Sequence, residues 1–542
     1  MPDILLIQPP VRDYYLTQKR TIPYGLACIA AALIQDGFSV AILDALAVAK
    51  SRVIAPPPEM GYLSAFYGKP DISPFGLFHT FRHFGYSFEH IGKTARESGA
   101  FLVGISSLFT AYSEEALAAA RAVKAFHPRC RVVLGGHHPT ALPEAAMAEP
   151  AVDFVIRGEG EAAMALLAAA LRDGRPVDGI PGIVFRKDSR GIAVSPPAEL
   201  EDLDGQPPPA IHLVNHAFYR RHKRGSAVVL TSRGCPMRCT YCAVGGGTLR
   251  YRTRSRERVL QEIETAVFQY QARFIDFEDE NLSLDRESFL ALLREIPRRF
   301  DGLGLELRAM NGLFTPSLDE AVIQAMKRAG FRTLNLSLGT SDPAQLRRFR
   351  RPDVRKATDR AIQAAGRHGL DVVCYIIAGA PDQTPRDSLA DLCYLARRDV
   401  LAGVSIYYPA PGSSDYAVLE RRGMLPPRFS LMRSTALPIS HATPRQAAAT
   451  LLRLARILGF IRATLRRGAA LPPPAPLDES GIDPRSGREV IGRRLLSAYF
   501  HDGRIHGMTP TGEIFEHPAS RDLSVRFRDT LQKYFPIPKL HD

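Results

Sequence analysis

Cys235, Cys239 and Cys242 fall within eight residues, in the run Thr231-Ser-Arg-Gly-Cys235-Pro-Met-Arg-Cys239-Thr-Tyr-Cys242. Nothing else in the 542-residue chain restricts it as much. The apolar run Ala227 to Leu230 just before the triplet reads as a strand, which puts the cysteines on a loop at a strand's carboxyl end. Three thiolates on one short loop can ligate three irons of a cubane cluster. The fourth iron then has no protein ligand, and its open position can take a small chelating molecule, as catalytic metal sites keep one coordination position free. The other readings are a zinc site lacking its fourth ligand, or three unrelated thiols. A zinc site would usually show a second cysteine pair or a histidine pair, and none stands nearby. The chain has seven cysteines, an odd number poorly placed for a disulfide framework.

Upstream of the triplet, strand and helix signals alternate. Asp3 to Gln8, Ser39 to Leu43, Phe101 to Ser106, Arg131 to Leu134 and Val152 to Ile156 read as strands. Tyr24 to Gly37, Ser113 to Phe126 and Glu161 to Leu171 read as helices. This alternation predicts a doubly wound, Rossmann-like parallel sheet with ligands at the carboxyl ends of its strands. Ser51 to Tyr86, rich in Pro, Gly and aromatics, is expected to be a long insertion over that edge. Pro196-Pro197 and Pro207-Pro208-Pro209 flank an acidic linker. A second series follows, with strands at Ala227–Leu230, Phe274–Phe277, Leu305–Ala309, Thr333–Ser337, Val372–Ile377 and Gly403–Tyr407. Six parallel strands at this spacing suggest a partial (β/α)6 barrel of TIM type, again active at the carboxyl ends. Past residue 430 come a basic helix, Pro444 to Arg467, and 65 final residues that are polar and weakly patterned. The expected units are 1–195, a linker at 196–225, a barrel at 226–430 and a small, mostly helical C-terminal region at 431–542.

Composition narrows the partners. A hydrophobic fraction of 45% and a charged fraction of 23% are ordinary for a globular protein with a sizeable core. The net charge of +14 would suit an acidic partner. The arginines, such as Arg347, Arg348, Arg350 and Arg351, look scattered, and no aromatic-basic stripe marks a nucleic-acid site. No run of 18 apolar residues is present and the start reads as a buried strand, so no spanning helix is expected and the location is expected to be cytoplasmic.

With Tyr241 just before the last cysteine, the C-x3-C-x2-C run resembles the signature of the radical S-adenosylmethionine (SAM) superfamily, and the resemblance covers roughly residues 226 to 415. It implies a four-iron four-sulfur (4Fe-4S) cluster on Cys235, Cys239 and Cys242 whose open iron chelates SAM, and reductive cleavage of SAM to a 5′-deoxyadenosyl radical. Phe277-Glu278-Asp279-Glu280-Asn281 resembles the family's acidic motif, which implies a carboxylate of Asp279 or Glu280 on the SAM ammonium. Asn311, Ser337, Ile377 and Gly379 stand where later strands of the family meet SAM. Gly339 stands where the family often has Glu, which puts a ribose contact there in doubt.

Gly135-Gly136-His137-His138-Pro139-Thr140 and Val152 to Glu161 resemble the cobalamin-binding domain joined to such enzymes, over about residues 1 to 175. The resemblance implies cobalamin contacts from Ser106, Ser107, Gly135, Gly136, Gly158 and Glu159, with the glycines letting backbone come close to a large planar ligand. The family's D-x-H-x-x-G stretch corresponds to Asp44-Ala45-Leu46-Ala47-Val48-Ala49, so cobalt is expected to have no histidine ligand.

Together these imply a cobalamin-dependent radical SAM enzyme, with methyl transfer to an unactivated carbon as the leading reaction. Its substrate would be a small molecule or peptide-derived. Its electrons would come from an external donor such as flavodoxin or ferredoxin. A non-methylating cyclisation, rearrangement or oxidation needs the same cofactors. A methylthiotransferase would need three N-terminal cysteines, and only Cys28 and Cys130 precede the triplet. A non-catalytic cobalamin or redox sensor would not need the SAM-facing segments.

Overall fold

The computed structural model describes residues 1–14, 22–187, 191–244, 250–477 and 482–538. Its N-terminal sheet has seven strands. Five are parallel, in the spatial order Val40–Asp44, Ile4–Gln8, Leu102–Ser106, Arg131–Gly135, Phe154–Ile156. Ile4 aligns with both Val40 and Leu102. Successive side chains leave a strand on opposite faces, and this divides the core in two. Leu5, Ile7, Val103 and Ile105 pack with helix Ser113–Phe126. Ile4, Leu6, Leu102 and Val133 pack with helices Tyr24–Gln35 and Glu161–Arg172. The order 2-1-3-4-5 places a topological switch between Ile4–Gln8 and Leu102–Ser106, where open α/β sheets bind ligands. Two antiparallel strands, Ile183–Arg186 and Ile192–Val194, extend the far edge. They are too short and too local to show in the apolar pattern.

The barrel strands are Arg224–Val229, Ala272–Phe277, Glu306–Ala309, Thr333–Gly339, Asp371–Ala378 and Leu401–Ile406. All pair in parallel, in two hydrogen-bonded groups of three. The bridges Leu307–Phe331 and Leu313–Leu336 join the groups into one curved wall, a partial barrel.

The structure adds to three expectations. The expected linker at 196–225 is packed against its neighbours. Leu200, Leu203, Ala210, Val214 and Tyr219 are buried, and Ala198 forms a bridge with Gly158. The Ser51–Tyr86 insertion is tied to the sheet edge where Tyr86 N–H donates to Ala45 O, but its middle crosses to the far end of the chain. There Met60, Leu63, Tyr67 and Phe75 join the barrel's hydrophobic core, and Asp71 accepts from the His517 ring at 2.8 Å. The C-terminal region has no separate core, since Leu495, Tyr499, Phe527 and Leu531 belong to the barrel's own cluster. Its long helix, Arg445–Arg466, is basic in composition yet buried along much of its length, and Arg453 is 1% exposed.

Asp13 has no exposed surface and ties these parts together. It accepts from the hydroxyls of Tyr112 (2.5 Å) and Thr435 (2.9 Å) and lies 3.2 Å from the Arg433 guanidinium. Arg433 also donates to the carbonyls of Arg12, Ala111 and Ser430. Removing one partner of a buried pair leaves a stranded charge, which costs about 3 to 5 kcal/mol. Arg433→Met is therefore expected to lower the unfolding free energy in urea by that amount. A loss below about 1 kcal/mol, the range of an exposed pair, would refute this account of Asp13.

Candidate active site

The cysteine loop begins where the short strand Ser232–Arg233 pairs with Arg252–Thr253, and Gly234 turns the chain with φ +79°. Asp279 holds this start from beneath. Its carboxylate accepts from Thr231 N–H (3.0 Å), the Thr231 hydroxyl (2.6 Å) and the Ser232 hydroxyl (2.6 Å), and it is 1% exposed. Asp279 is absent from the cavity wall, where the acidic motif suggested a ligand contact. Cys235 and Cys242 open onto a large cavity, while Cys239 is buried behind them. Burial pushes the Cys235 and Cys239 thiols up, and the Arg351 guanidinium opposes this at Cys239 by donating to its sulfur at 3.9 Å. Arg351 also donates to the Tyr241 hydroxyl (2.7 Å) and to Ser337 O (2.6 Å). Tyr241 and Ser337 thus brace the loop and are absent from the cavity wall. Ile377 packs with Tyr407 and Phe349 outside that wall, and Gly379 makes room for Thr443 and donates its N–H to Ser388. Among the described residues no three His, Cys, Asp or Glu side chains converge on one metal ion. A cubane does not need that convergence, because each thiolate binds its own iron.

Glu278, Glu280 and Asn311 line the cavity with Cys235 and Cys242. Asn311 donates to the carbonyl of Glu278 at 2.9 Å. Burial raises the Glu280 pKa, against hydrogen bonds from its own and the Gly234 backbone, and a cationic ligand in the cavity would favour its charged form.

Across the cavity stands the N-terminal sheet. Leu6, Gly104, Val133 and Ile156 face Leu26 and Met164 across an apolar slot at the switch point. Above it lie Ser106, Leu108, Phe109, Gly135, Gly136 and His137. Ser107 is just behind, buried, and its hydroxyl has no hydrogen-bond partner among the described residues. A side chain on Gly135 would meet nothing closer than 3.9 Å, so its backbone is open to a ligand. The other two glycines answer to the protein itself. A Cβ on Gly136 (φ +118°) would lie 2.6 Å from Ser107 O, and one on Gly158 (φ +82°) 2.1 Å from Ala198 O. Leu46 is buried outside the cavity wall, next to Asp44, whose pKa burial lifts to about 6. His137 is open to the cavity but set deep in the molecule, and burial lowers its pKa.

Glu159 faces the cavity but is committed elsewhere. It pairs with Arg233 (3.1 Å) and Arg252 (2.7 Å) and accepts from Leu200 N–H (2.5 Å). Glu161 pairs with Arg233 at 2.6 Å. These four side chains are at most one-fifth exposed and bolt the cysteine loop to the N-terminal domain. Glu161 and Arg233 both lie inside motifs that drew notice for other reasons, and only the folded chain shows that they meet.

The cavity holds about 1440 Å³ and is lined by both domains. Sites for drug-sized ligands usually span about 300 to 1,000 Å³, so this one has room for more than one molecule. The donor set at the cysteines fits a cluster. The apolar slot, the open Gly135 backbone and the orphaned Ser107 hydroxyl fit a large, partly polar cofactor.

Comparisons with known proteins agree with this division. Residues 229–393 match the model of the radical SAM superfamily, and residues 77–168 match that of the B12 binding domain. The cytidylyl-2-hydroxyethylphosphonate methyltransferase of Streptomyces wedmorensis is 26% identical over 80% of this chain and 84% of its own length. The anaerobic magnesium-protoporphyrin IX monomethyl ester cyclase of Rubrivivax gelatinosus is 30% identical over 54% of this chain and 53% of its own. In fold, the chain resembles the radical SAM methyltransferase TsrM of Kitasatospora setae, solved with cobalamin and an iron–sulfur cluster (TM-score 0.59, 20% identity, 79% of this chain and 76% of that one).

The geometry separates the roles of two neighbouring carboxylates. A charge-assisted hydrogen bond contributes about 1.5 to 3 kcal/mol, so Glu280→Gln is expected to weaken SAM binding about tenfold or more. Asp279→Asn should act through the loop, lowering iron retention while the iron-loaded fraction keeps its SAM affinity. Equal weakening of SAM binding by both variants, measured by titration of reconstituted protein, would mean that Asp279 touches the ligand.

Proposed function

We propose that this chain, a B12-binding domain joined to a radical SAM domain, transfers a methyl group from SAM to an unactivated carbon of a small-molecule or peptide-derived substrate. The observation that carries this reading is the one cavity shared by Cys235, Cys242 and the N-terminal slot, which gives two cofactors and a substrate a common space. In this reading Cys235, Cys239 and Cys242 hold a 4Fe-4S cluster, which supplies the electron that cleaves SAM. Glu280 and Asn311 orient SAM, and Ser106 and Gly135 meet cobalamin, with the buried Ser107 hydroxyl just behind them. An external donor such as flavodoxin or ferredoxin provides the electrons. No helix among the described residues is long and apolar enough to cross a membrane.

A non-methylating cyclisation is the second reading, favoured by the likeness to the Rubrivivax cyclase. Methyl-labelled SAM separates the two. Anaerobically reconstituted protein given substrate, reductant and labelled SAM is expected to place the label in the product and to release 5′-deoxyadenosine. Release of 5′-deoxyadenosine with an unlabelled product would establish the cyclase-like reading instead.

Cobalt is proposed to have no imidazole ligand from this chain, because Leu46 stands at the family's histidine position and lies off the cavity wall. Paramagnetic resonance of the Co(II) form should show no nitrogen splitting from a protein imidazole. Splitting that disappears in His137→Ala would overturn this, since His137 is on the wall.

A further inference from the structure

Cys235 and Cys242 face the cavity, and Cys239 is buried behind them. The segment Arg347-Arg348-Phe349-Arg350-Arg351 passes there. Phe349 and Arg351 turn inward. Phe349 O accepts from Thr240 N–H at 3.1 Å, its ring meets Tyr241 edge-on at 4.9 Å, and Arg351 reaches the Cys239 sulfur. Arg347, Arg348 and Arg350 turn outward and are exposed, and Arg238, from the cysteine loop itself, is exposed as well. None of these four forms an ion pair among the described residues. The acids around them are occupied or few. Asp342 caps the helix Pro343–Arg348, Asp353 pairs with Arg355 at 2.6 Å, and Asp415 lies close enough to Arg350 to feel its charge. Arginines in a last helical turn favour the helix dipole, which would account for Arg347 and Arg348 but not for Arg238 or Arg350.

We propose that Arg238, Arg347, Arg348 and Arg350 form the landing surface for an acidic one-electron donor protein of the flavodoxin class. The proposal rests on the cysteine loop holding a cluster. One electron leaves the reduced donor and enters the cluster, the donor is oxidised by one electron, and no bond is made or broken. A positive patch raises the encounter rate with a negative partner, and salt screens the effect. Arg238 adjoins Cys239 in sequence, and Arg347, Arg348 and Arg350 flank Phe349 and Arg351, which contact the cysteine loop directly.

The test compares two reductants on full-length, reconstituted protein, reading 5′-deoxyadenosine formation. With reduced flavodoxin at low salt, Arg347→Glu/Arg348→Glu/Arg350→Glu should lower the second-order rate about tenfold or more, and the difference should shrink as salt is added. With dithionite the same variant should match the wild type. The variant with lysine at all three positions keeps the charge and should keep the flavodoxin rate. An unchanged flavodoxin rate in the glutamate variant would overturn the proposal. So would an equal fall with dithionite, which would make the arginines part of the fold. If no variant and not even the wild type yields 5′-deoxyadenosine with dithionite, the cluster reading itself fails. Should the glutamate variant prove insoluble, Arg347→Gln/Arg348→Gln carries the same comparison, with a smaller expected fall.

Discussion

The seam of Glu159 and Glu161 against Arg233 and Arg252 is the interaction on which the site depends. Arg233 lies two residues before Cys235, and Glu159 and Glu161 flank the start of a helix in the other domain. Whatever separation the cavity keeps between its two walls is therefore set within a few residues of the reactive loop. Four largely sheltered charges in alternating sign compensate one another at short range, where effective dielectric screening is weakest. A hydrophobic seam of the same area would hold the domains together without fixing their register, because apolar contact has no direction.

The loop is held again from behind, by Asp279 under Thr231 and Ser232 and by Arg351 against Cys239 and Tyr241. Three residues read as cofactor contacts from their place in motifs, Tyr241, Ser337 and Asp279, take part in this bracing. Tyr241, Ser337 and Asp279 are absent from the cavity wall, whereas Glu278, Glu280, Asn311, Cys235 and Cys242 line it. The reason is geometric. A motif marks the carboxyl end of a strand, but neighbouring residues there point to opposite faces. Asp279 and Glu280 are adjacent in sequence and serve opposite sides of the same turn.

The repeating elements were legible before the structure. Strands with apolar runs such as Ile4 to Ile7, and helices such as Ser113–Phe126, stand where their patterns put them, because burial on two faces or on one stripe leaves a periodic trace. What left no trace is pairing between distant segments. Nothing in Ser51 to Tyr86 signals that Tyr67 will bond Thr435 or that Asp71 will meet His517. The hairpin edge of the N-terminal sheet, the packed course of residues 196–225 and the outward set of Arg347, Arg348 and Arg350 were hidden as well. The hairpin is too short to leave a periodic trace, and the other two depend on neighbours far away along the chain.

The crossing of residues 51–86 to the C-terminal region also has a bearing on how the molecule comes into being. Asp71 and His517 are 446 positions apart. A chain made from its amino end can close the first parallel sheet early, since its strands are complete by Ile156. The aromatic arm between its second and third strands has no place to settle until the last helices leave the ribosome. During that interval Met60, Leu63, Tyr67 and Phe75 are uncovered apolar surface, which is the condition under which nascent chains attract chaperones or one another. Assembly of the last hundred residues is therefore the step that seals the first hundred.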